Sequence, residues 1–340
     1  MASKAFGIDF GTSNIKICKK GQGIVLNERN IIAIADKKVV IATGDEAYDM
    51  YEKAPTNIKV SYPVKSGVIA DVANMMTLLN NFMSRINGAK RSGTSNFIVA
   101  TPSDITEVER RSFYELIANS NLRAAQIKIV EKPIADAVGI GLDIMTARGV
   151  MVVDIGADTT EVSILSLGGI VLSKLIPVGG NRLDEAIKST VKKRYGLYIG
   201  DKTAENIKIK LASALPGVEG SIKVYGRDVV TGLPTEIEIN SNTVYEAISE
   251  YLYNIIDAAR IILERTPPEI SSDIIDSGIY VTGGSANIFG LDELLYKETD
   301  LKINICSDSS NTVVNGLRRI MEDEKLSSLA DALKQKTFVN

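Results

Sequence analysis

Gly7-Ile8-Asp9-Phe10-Gly11-Thr12-Ser13-Asn14 reads as an apolar strand that ends in an aspartate and turns through small and hydroxyl-bearing residues. The chain repeats the pattern as Val153-Asp154-Ile155-Gly156-Ala157-Asp158-Thr159-Thr160. Glycine lets the backbone approach a phosphate closely, and the hydroxyls and turn N–H groups donate to its oxygens. The aspartate can hold the accompanying magnesium through water. A single copy would be a weak signal, because the same residues end many ordinary strands. Two copies predict two clamps on one nucleotide.

Each copy opens a three-strand pattern. Around the first, Phe6 to Phe10, Asn14 to Cys18 and Gly23 to Leu26 read as strands, with Lys20-Gly21-Gln22-Gly23 as a turn. Around the second, Val150 to Ile155 reads as a buried strand and Thr160 to Leu167 alternates. Gly168-Gly169 then makes the hairpin turn and Ile170 to Val178 returns. The duplication is therefore expected at the level of a folding unit. Apolar positions at helical spacing predict a helix from about Val72 to Ile86 capped by Asp71, and another beginning at the capping box Thr106-Glu107-Val108-Glu109. A third helix follows Gly179-Gly180-Asn181 and stops at Gly196. The longest runs from Thr243 to about Arg265 and ends at Pro267-Pro268. Residues 30–62 and 215–242 alternate in short charged stretches and read as one small insertion per half. Near the C-terminus, Gly278-Ile279-Tyr280-Val281-Thr282-Gly283-Gly284-Ser285-Ala286-Asn287 is strand, glycine turn and helix start, which offers backbone N–H groups and open space to a nucleotide.

Composition narrows the chemistry. The 340 residues suffice for about two domains, and 39 basic against 42 acidic residues leave no basic field of the kind that draws proteins to nucleic acid. Histidine is absent, which excludes Ser-His-Asp and Cys-His catalysis and imidazole metal sites. Cys18 and Cys306 are the only thiols, so neither a disulfide framework nor a four-cysteine zinc site is available, and a reducing cytoplasm fits best. Met1-Ala2-Ser3-Lys4-Ala5-Phe6 leads directly into a strand, and no apolar run approaches the ~18 residues of a membrane span. The expectation is a protein neither exported nor membrane-spanning.

Seven motifs, taken together, carry a resemblance. Gly7-Ile8-Asp9-Phe10-Gly11-Thr12, Gly23-Ile24-Val25-Leu26-Asn27-Glu28, Gly67-Val68-Ile69-Ala70-Asp71 and Thr101-Pro102-Ser103 come first. Thr106-Glu107-Val108-Glu109-Arg110-Arg111, Thr203-Ala204-Glu205 and Thr282-Gly283-Gly284 follow. In this order, and over essentially the whole chain, they resemble the MreB family of bacterial actin homologues, which includes Mbl-type paralogues. The resemblance implies an α/β, actin-like ATPase fold of duplicated ribonuclease H-like cores, with two lobes and a nucleotide cleft. It implies a first-lobe core of 1–29, 63–145 and 312–340 with a small subdomain at 30–62. The second-lobe core would be 146–180 and 243–311, with its small subdomain at 181–242.

Carried over by position, Gly11, Thr12, Ser13 and Asn14 would form the first phosphate loop, and Gly156, Ala157, Asp158 and Thr159 the second. Asp9 and Asp154 would hold Mg2+ through its waters, Glu205 and Lys208 would border the adenosine of ATP or ADP, and Gly283, Gly284, Ser285 and Ala286 would back base and ribose. Asp184 would lie nearby, although an acid in the first turn of a helix also explains it. Thr159 would stand near the terminal phosphate. Glu109 has catalytic potential, but its capping-box spacing from Thr106 accounts for it without chemistry.

The chain also departs from the family. Where the family has two acids before a proline, it has Glu131-Lys132-Pro133, so Lys132 stands at the position implicated in placing the attacking water. A charged lysine cannot accept that water's proton. The second loop carries Ala157-Asp158 where the family has Gly-Gly, and a carboxylate beside a polyanion calls for a compensating cation. Lys132 is the candidate. The exchange either moves water positioning onto Asp158 or leaves a slow hydrolase, with Glu131 as a fallback water-positioner and a solvent-facing Lys132 as the plain alternative.

The resemblance implies head-to-tail filaments, with paired protofilaments, that organise cell-wall synthesis and rod shape with membrane-bound cell-elongation proteins. Direct membrane contact would rest on the loop Asn87-Gly88-Ala89-Lys90-Arg91-Ser92-Gly93-Thr94, whose two cations contribute only about 1 kcal/mol each at an anionic surface. A non-hydrolysing scaffold or co-polymerising paralogue is the rival reading. A chaperone or small-molecule kinase is disfavoured, because the chain offers neither a peptide-binding domain after Thr282 nor a spare base for a substrate hydroxyl.

Overall fold

The computed structural model describes residues 4–36, 39–88 and 93–331. The chain forms two compact units, one of Met1–Ala147, Leu165–Val171 and Asn311–Asn340, the other of Arg148–Ile164 and Leu172–Ser310. Each is built on a five-stranded sheet. In the first unit the strand order is Ala124–Glu131, Ser95–Thr101, Lys4–Phe10, Asn14–Lys19, Gly23–Arg29. Lys4–Phe10 runs parallel to Ser95–Thr101 and antiparallel to Asn14–Lys19. The second sheet has the same order, Ile303–Ile305, Ile279–Thr282, Val150–Ile155, Thr160–Ser166, Gly169–Ile176, with the first three parallel. The aspartate-ending strand is the central strand of both.

Phe6, Ile8 and Phe10 point into one core with Met75, Leu79, Phe82, Phe113 and Ile117. Those partners come from the helices Val72–Asn87 and Glu107–Ala118, whose apolar faces repeat at helical spacing. Asp71 caps the first by accepting from Asn74 N at 3.0 Å. Thr106 and Glu109 close both bonds of the expected capping box. The helices Lys132–Ile140 and Thr312–Glu322 cross very closely. A Cβ on Gly139 would lie 1.9 Å from Thr312 O, and one on Gly316 would lie 1.8 Å from Ala135 O, so only glycine permits the crossing.

The second core gathers Val153, Ile155, Leu183, Ile187, Ile207, Ile248, Leu252 and Val281. Its helices are Gly180–Tyr195, ended by Gly196 at φ +62, Asp201–Leu211, and Ser241–Arg265, capped by Asn240. Pro267-Pro268 ends that long helix and also opens a further one, Pro268–Ser277, because proline is at home in a first turn. The hairpin turn of this sheet lies one residue earlier than expected. Leu167 (φ 53) and Gly168 (φ 75) are its two left-handed residues, which matches the right-handed twist of the flanking strands.

Residues 30–62 contain a small antiparallel sheet of Val39–Thr43, Ile32–Ala35 and Ile58–Ser61 with the short helix Asp45–Met50. Ile31, Ala33, Ala42 and Ala47 form a core of its own. In the 215–242 stretch, Ser221–Asp228 and Pro234–Asn240 pair antiparallel, and Leu197–Tyr198 extends them. No helix among the described residues is long and apolar enough to cross a membrane. Lys90 and Arg91 of the expected lipid-touching loop lie outside the described residues.

Candidate functional site

In the first unit, Asp9 sits at the end of the central strand, paired across the sheet with Lys16 and Ala100, and is 6% exposed. The chain then turns at Gly11, where a Cβ would stand 2.6 Å from Asn14 O. The turn is braced from the strand Gly23–Arg29 and the residue after it. Asn30 donates from its backbone N to Ser13 O (2.8 Å) and from Nδ2 to Gly11 O (2.8 Å). Asn14 Nδ2 donates to Asn27 Oδ1 at 3.0 Å, and Arg29 Nη1 donates to Ser13 Oγ at 2.8 Å. The Arg29 guanidinium also lies 4.3 Å from the centre of the Tyr48 ring. Asn27, Arg29 and Asn30 were not read as site residues from sequence, and only their nearness along the chain to Asn14 hinted at a role.

Lys132 opens the helix that follows the strand Ala124–Glu131, and it does not face solvent. Its Nζ stands 3.1 Å from Asp9 Oδ1, with the two side chains 14% and 8% exposed. The contact is an ion pair, and Asp9 Oδ1 has no hydrogen-bond partner. The solvent-facing alternative for Lys132 is thereby removed. Glu131, the residue before it, has its carboxyl raised above the ordinary range by burial, against the pull of Arg110, whose Nη1 is 3.7 Å away. Glu109 is occupied as a cap, with Oε2 accepting from Thr106 N at 2.8 Å and Thr106 Oγ1 at 2.7 Å. Those bonds hold its carboxyl below the ordinary range.

In the second unit, Asp154 pairs across the sheet with Thr282. The following Gly283 is left-handed (φ +88), and a Cβ there would lie 2.3 Å from Asp154 Oδ1. The loop Gly156–Thr159 closes on itself through Gly156 N donating to Thr159 O at 2.9 Å. It is tied to the helix Gly180–Tyr195 by Gly180 N to Gly156 O (3.0 Å) and Asn181 N to Ala157 O (2.7 Å). Asn181 Nδ2 donates to Asp158 Oδ1 at 2.7 Å. A neutral amide thus serves the extra carboxylate, a partner that the sequence reading did not consider.

Several expected site residues converge beside this loop. Lys208 Nζ donates to Gly180 O (2.9 Å) and to Asp184 Oδ2 (2.7 Å), and Ser285 Oγ donates to Gly156 O at 3.3 Å. Burial pushes the Asp184 carboxyl up to about 6 despite Lys208, and the nearby Glu205 pushes the same way. A Cβ on Gly284 would meet nothing within 4 Å, which leaves an open face beside Ser285, whereas Ala286 is buried. Asp184 is therefore not merely a first-turn acid. It anchors the lysine that closes the helix start onto the loop.

The two loops thus share a position, at the end of the central strand of equivalently ordered sheets, with glycines where close approach demands them. Among the described residues no group of three or more acidic or thiol side chains could hold a metal. A family model described as MreB/Mbl protein matches residues 3–328. The chain is 40% identical over 319 residues to the cell shape-determining protein Mbl of Bacillus subtilis (strain 168), covering 93% of this chain and 95% of that one. It is also 40% identical over 329 residues to the cell shape-determining protein MreB of Escherichia coli (strain K12), covering 95% and 94%. A crystal structure of MreB5 of Spiroplasma citri bound to ADP superposes with a TM-score of 0.89 at 34% identity, covering 94% of this chain and 96% of that one.

Proposed function

The chain belongs to the MreB/Mbl family, and from that premise we propose that it is an actin-like cytoskeletal protein that binds ATP and ADP and assembles head to tail into filaments that organise cell shape. The observation that carries this reading is the doubled loop. Gly11–Asn14 and Gly156–Thr159 follow aspartate-ending central strands in two sheets of the same order. Gly11 is held to glycine by Asn14 O, and Gly283 by the Asp154 carboxylate. Backbone N–H groups and the hydroxyls of Thr12, Ser13 and Thr159 supply phosphate donors. Lys208, Glu205, Ser285 and the open face at Gly284 border the nucleoside. ADP in the Spiroplasma citri relative supports the same ligand here. A heterologous contact that does not close generates a filament, and membrane-bound elongation proteins are the partners that the family suggests.

Turnover is proposed to be slow. The ammonium of Lys132 beside Asp9 cannot take a proton from water, and Glu131 is engaged with Arg110. Magnesium does not fit at Asp9 as it stands, because that carboxylate already faces a fixed cation. Electron microscopy of the purified protein with ATP, with ADP and without nucleotide tests assembly. Filaments that depend on ATP support the reading, and none under any condition would refute it. Phosphate release by the wild type beside Lys132→Glu and Asp158→Gly tests turnover; a faster Lys132→Glu is expected, and equal rates in all three would remove the role given to Lys132.

A further inference from the structure

We propose that Arg29 is a positioning residue of the first phosphate loop, and that through it the small subdomain of residues 30–62 sets how tightly the chain holds nucleoside di- and triphosphates. The inference rests on the nucleotide-binding reading above and deepens it. Strand register brings Arg29 to the loop, because it ends the strand Gly23–Arg29 directly across from Asn14, the last loop residue. From there Arg29 Nη1 donates to Ser13 Oγ at 2.8 Å, and Ser13 Oγ in turn donates to Asn14 Oδ1 at 3.0 Å. A hydroxyl has one proton to give, so the guanidinium on its acceptor side and Asn14 on its donor side together fix its orientation. The guanidinium keeps its charge and its rigid plane of donors at any working pH, so the constraint is a standing one.

The same arginine is held from the other side by the small subdomain. Its backbone N donates to Asp45 Oδ1 at 3.1 Å, at the start of the helix Asp45–Met50, and its guanidinium carbon lies 4.3 Å from the centre of the Tyr48 ring on that helix. Tyr48 stacks on Tyr51 with ring centres 6.4 Å apart, and Tyr51 meets the Tyr62 ring edge-on at 5.7 Å. All three tyrosines pack against the small core of Ile31, Ala33, Ala42 and Ala47. A continuous chain of contacts therefore runs from that core through Tyr48 and Arg29 to Ser13, all within the first unit. An arginine on an unsupported stem samples many rotamers, and ordering it when a ligand arrives would cost affinity. The face of Tyr48 orders it beforehand, beside the hydroxyl that is to meet a phosphate oxygen.

The experiment is titration calorimetry of ADP, in excess magnesium, against the full chain as wild type, Tyr48→Leu, Tyr48→Phe, Arg29→Met and the double variant of Tyr48→Leu with Arg29→Met. Tyr48→Phe keeps the ring face and is expected to bind as the wild type does. Tyr48→Leu is expected to weaken binding by about threefold to tenfold, and Arg29→Met by at least as much. In the Arg29→Met background, Tyr48→Leu is expected to change nothing further, because the ring acts through the guanidinium. A general loosening of the small subdomain would lower affinity without that dependence. Circular dichroism establishes that each variant is folded, and Tyr48→Met replaces Tyr48→Leu if the latter is not. Undiminished binding by Tyr48→Leu would overturn the proposal, as would a loss in Tyr48→Phe as large as that in Tyr48→Leu, or an effect of Tyr48→Leu that is the same with and without Arg29. Failure of the wild type to bind ADP would instead overturn the nucleotide reading, and this inference with it.

Discussion

Asp184 and Lys208 show how a single charge pair ties a loop to a helix and leaves a mark on the pH dependence of stability. The Asp184 carboxyl titrates at about 6 in the folded chain against an ordinary 3.8, because burial disfavours its charged form more than Lys208 favours it. The folded state therefore binds this proton more tightly than the unfolded one. The charged carboxylate detracts from stability at neutral pH, and the penalty is relieved as pH falls from about 6 towards 3.8. Urea unfolding of wild type beside Asp184→Asn should show the wild type gaining about 1 kcal/mol relative to the variant between pH 7 and pH 5. No relative change would show that the group titrates normally. That Asp184 would lie near the second loop was expected from its motif, and Lys208 ties it there. That it pairs with Lys208, rather than lying free in a first turn, depends on two helices packing side by side.

At the scale of elements, helix ends were readable because caps are local. Asp71, Thr106 with Glu109, and Gly196 each act within a few residues of their own backbone, so sequence spacing is enough. The crossing of Lys132–Ile140 and Thr312–Glu322 was not readable, since it depends on two glycines remote in sequence. Gly316→Ala forces a methyl group into Ala135 O, and the helix carrying Lys132 must shift to admit it. Overpacking of this kind costs about 1–3 kcal/mol or more, seen as a lower urea midpoint, whereas Ala135→Gly together with Gly316→Ala should not restore it, because the clash is with backbone. The hairpin turn at Leu167-Gly168 is a milder case. Two adjacent glycines at 168 and 169 invited the wrong register, and the twist of the strands selected the pair with two left-handed residues.

For the whole molecule, a ligand that binds only the folded chain must raise its stability by mass action. Free ADP at 100 times its dissociation constant should add about 2.7 kcal/mol, read as a higher melting temperature, and an unchanged melting temperature at millimolar ADP would count against nucleotide binding. The sequence by itself determined the duplication, the two aspartate-ending strands and the four helices Val72–Asn87, Glu107–Ala118, Gly180–Tyr195 and Ser241–Arg265, because strand alternation, turn residues and caps are properties of neighbouring positions, while the ordered set of motifs carried the family resemblance. Tertiary structure alone decided which partners the departures from the family acquire: Asp9 for Lys132, Asn181 for Asp158, and Arg29 and Asn30 for the first loop. The physical reason is that a side chain's partner is set by strand register and by the packing of helix ends on a sheet. Those bring together residues that no local pattern connects.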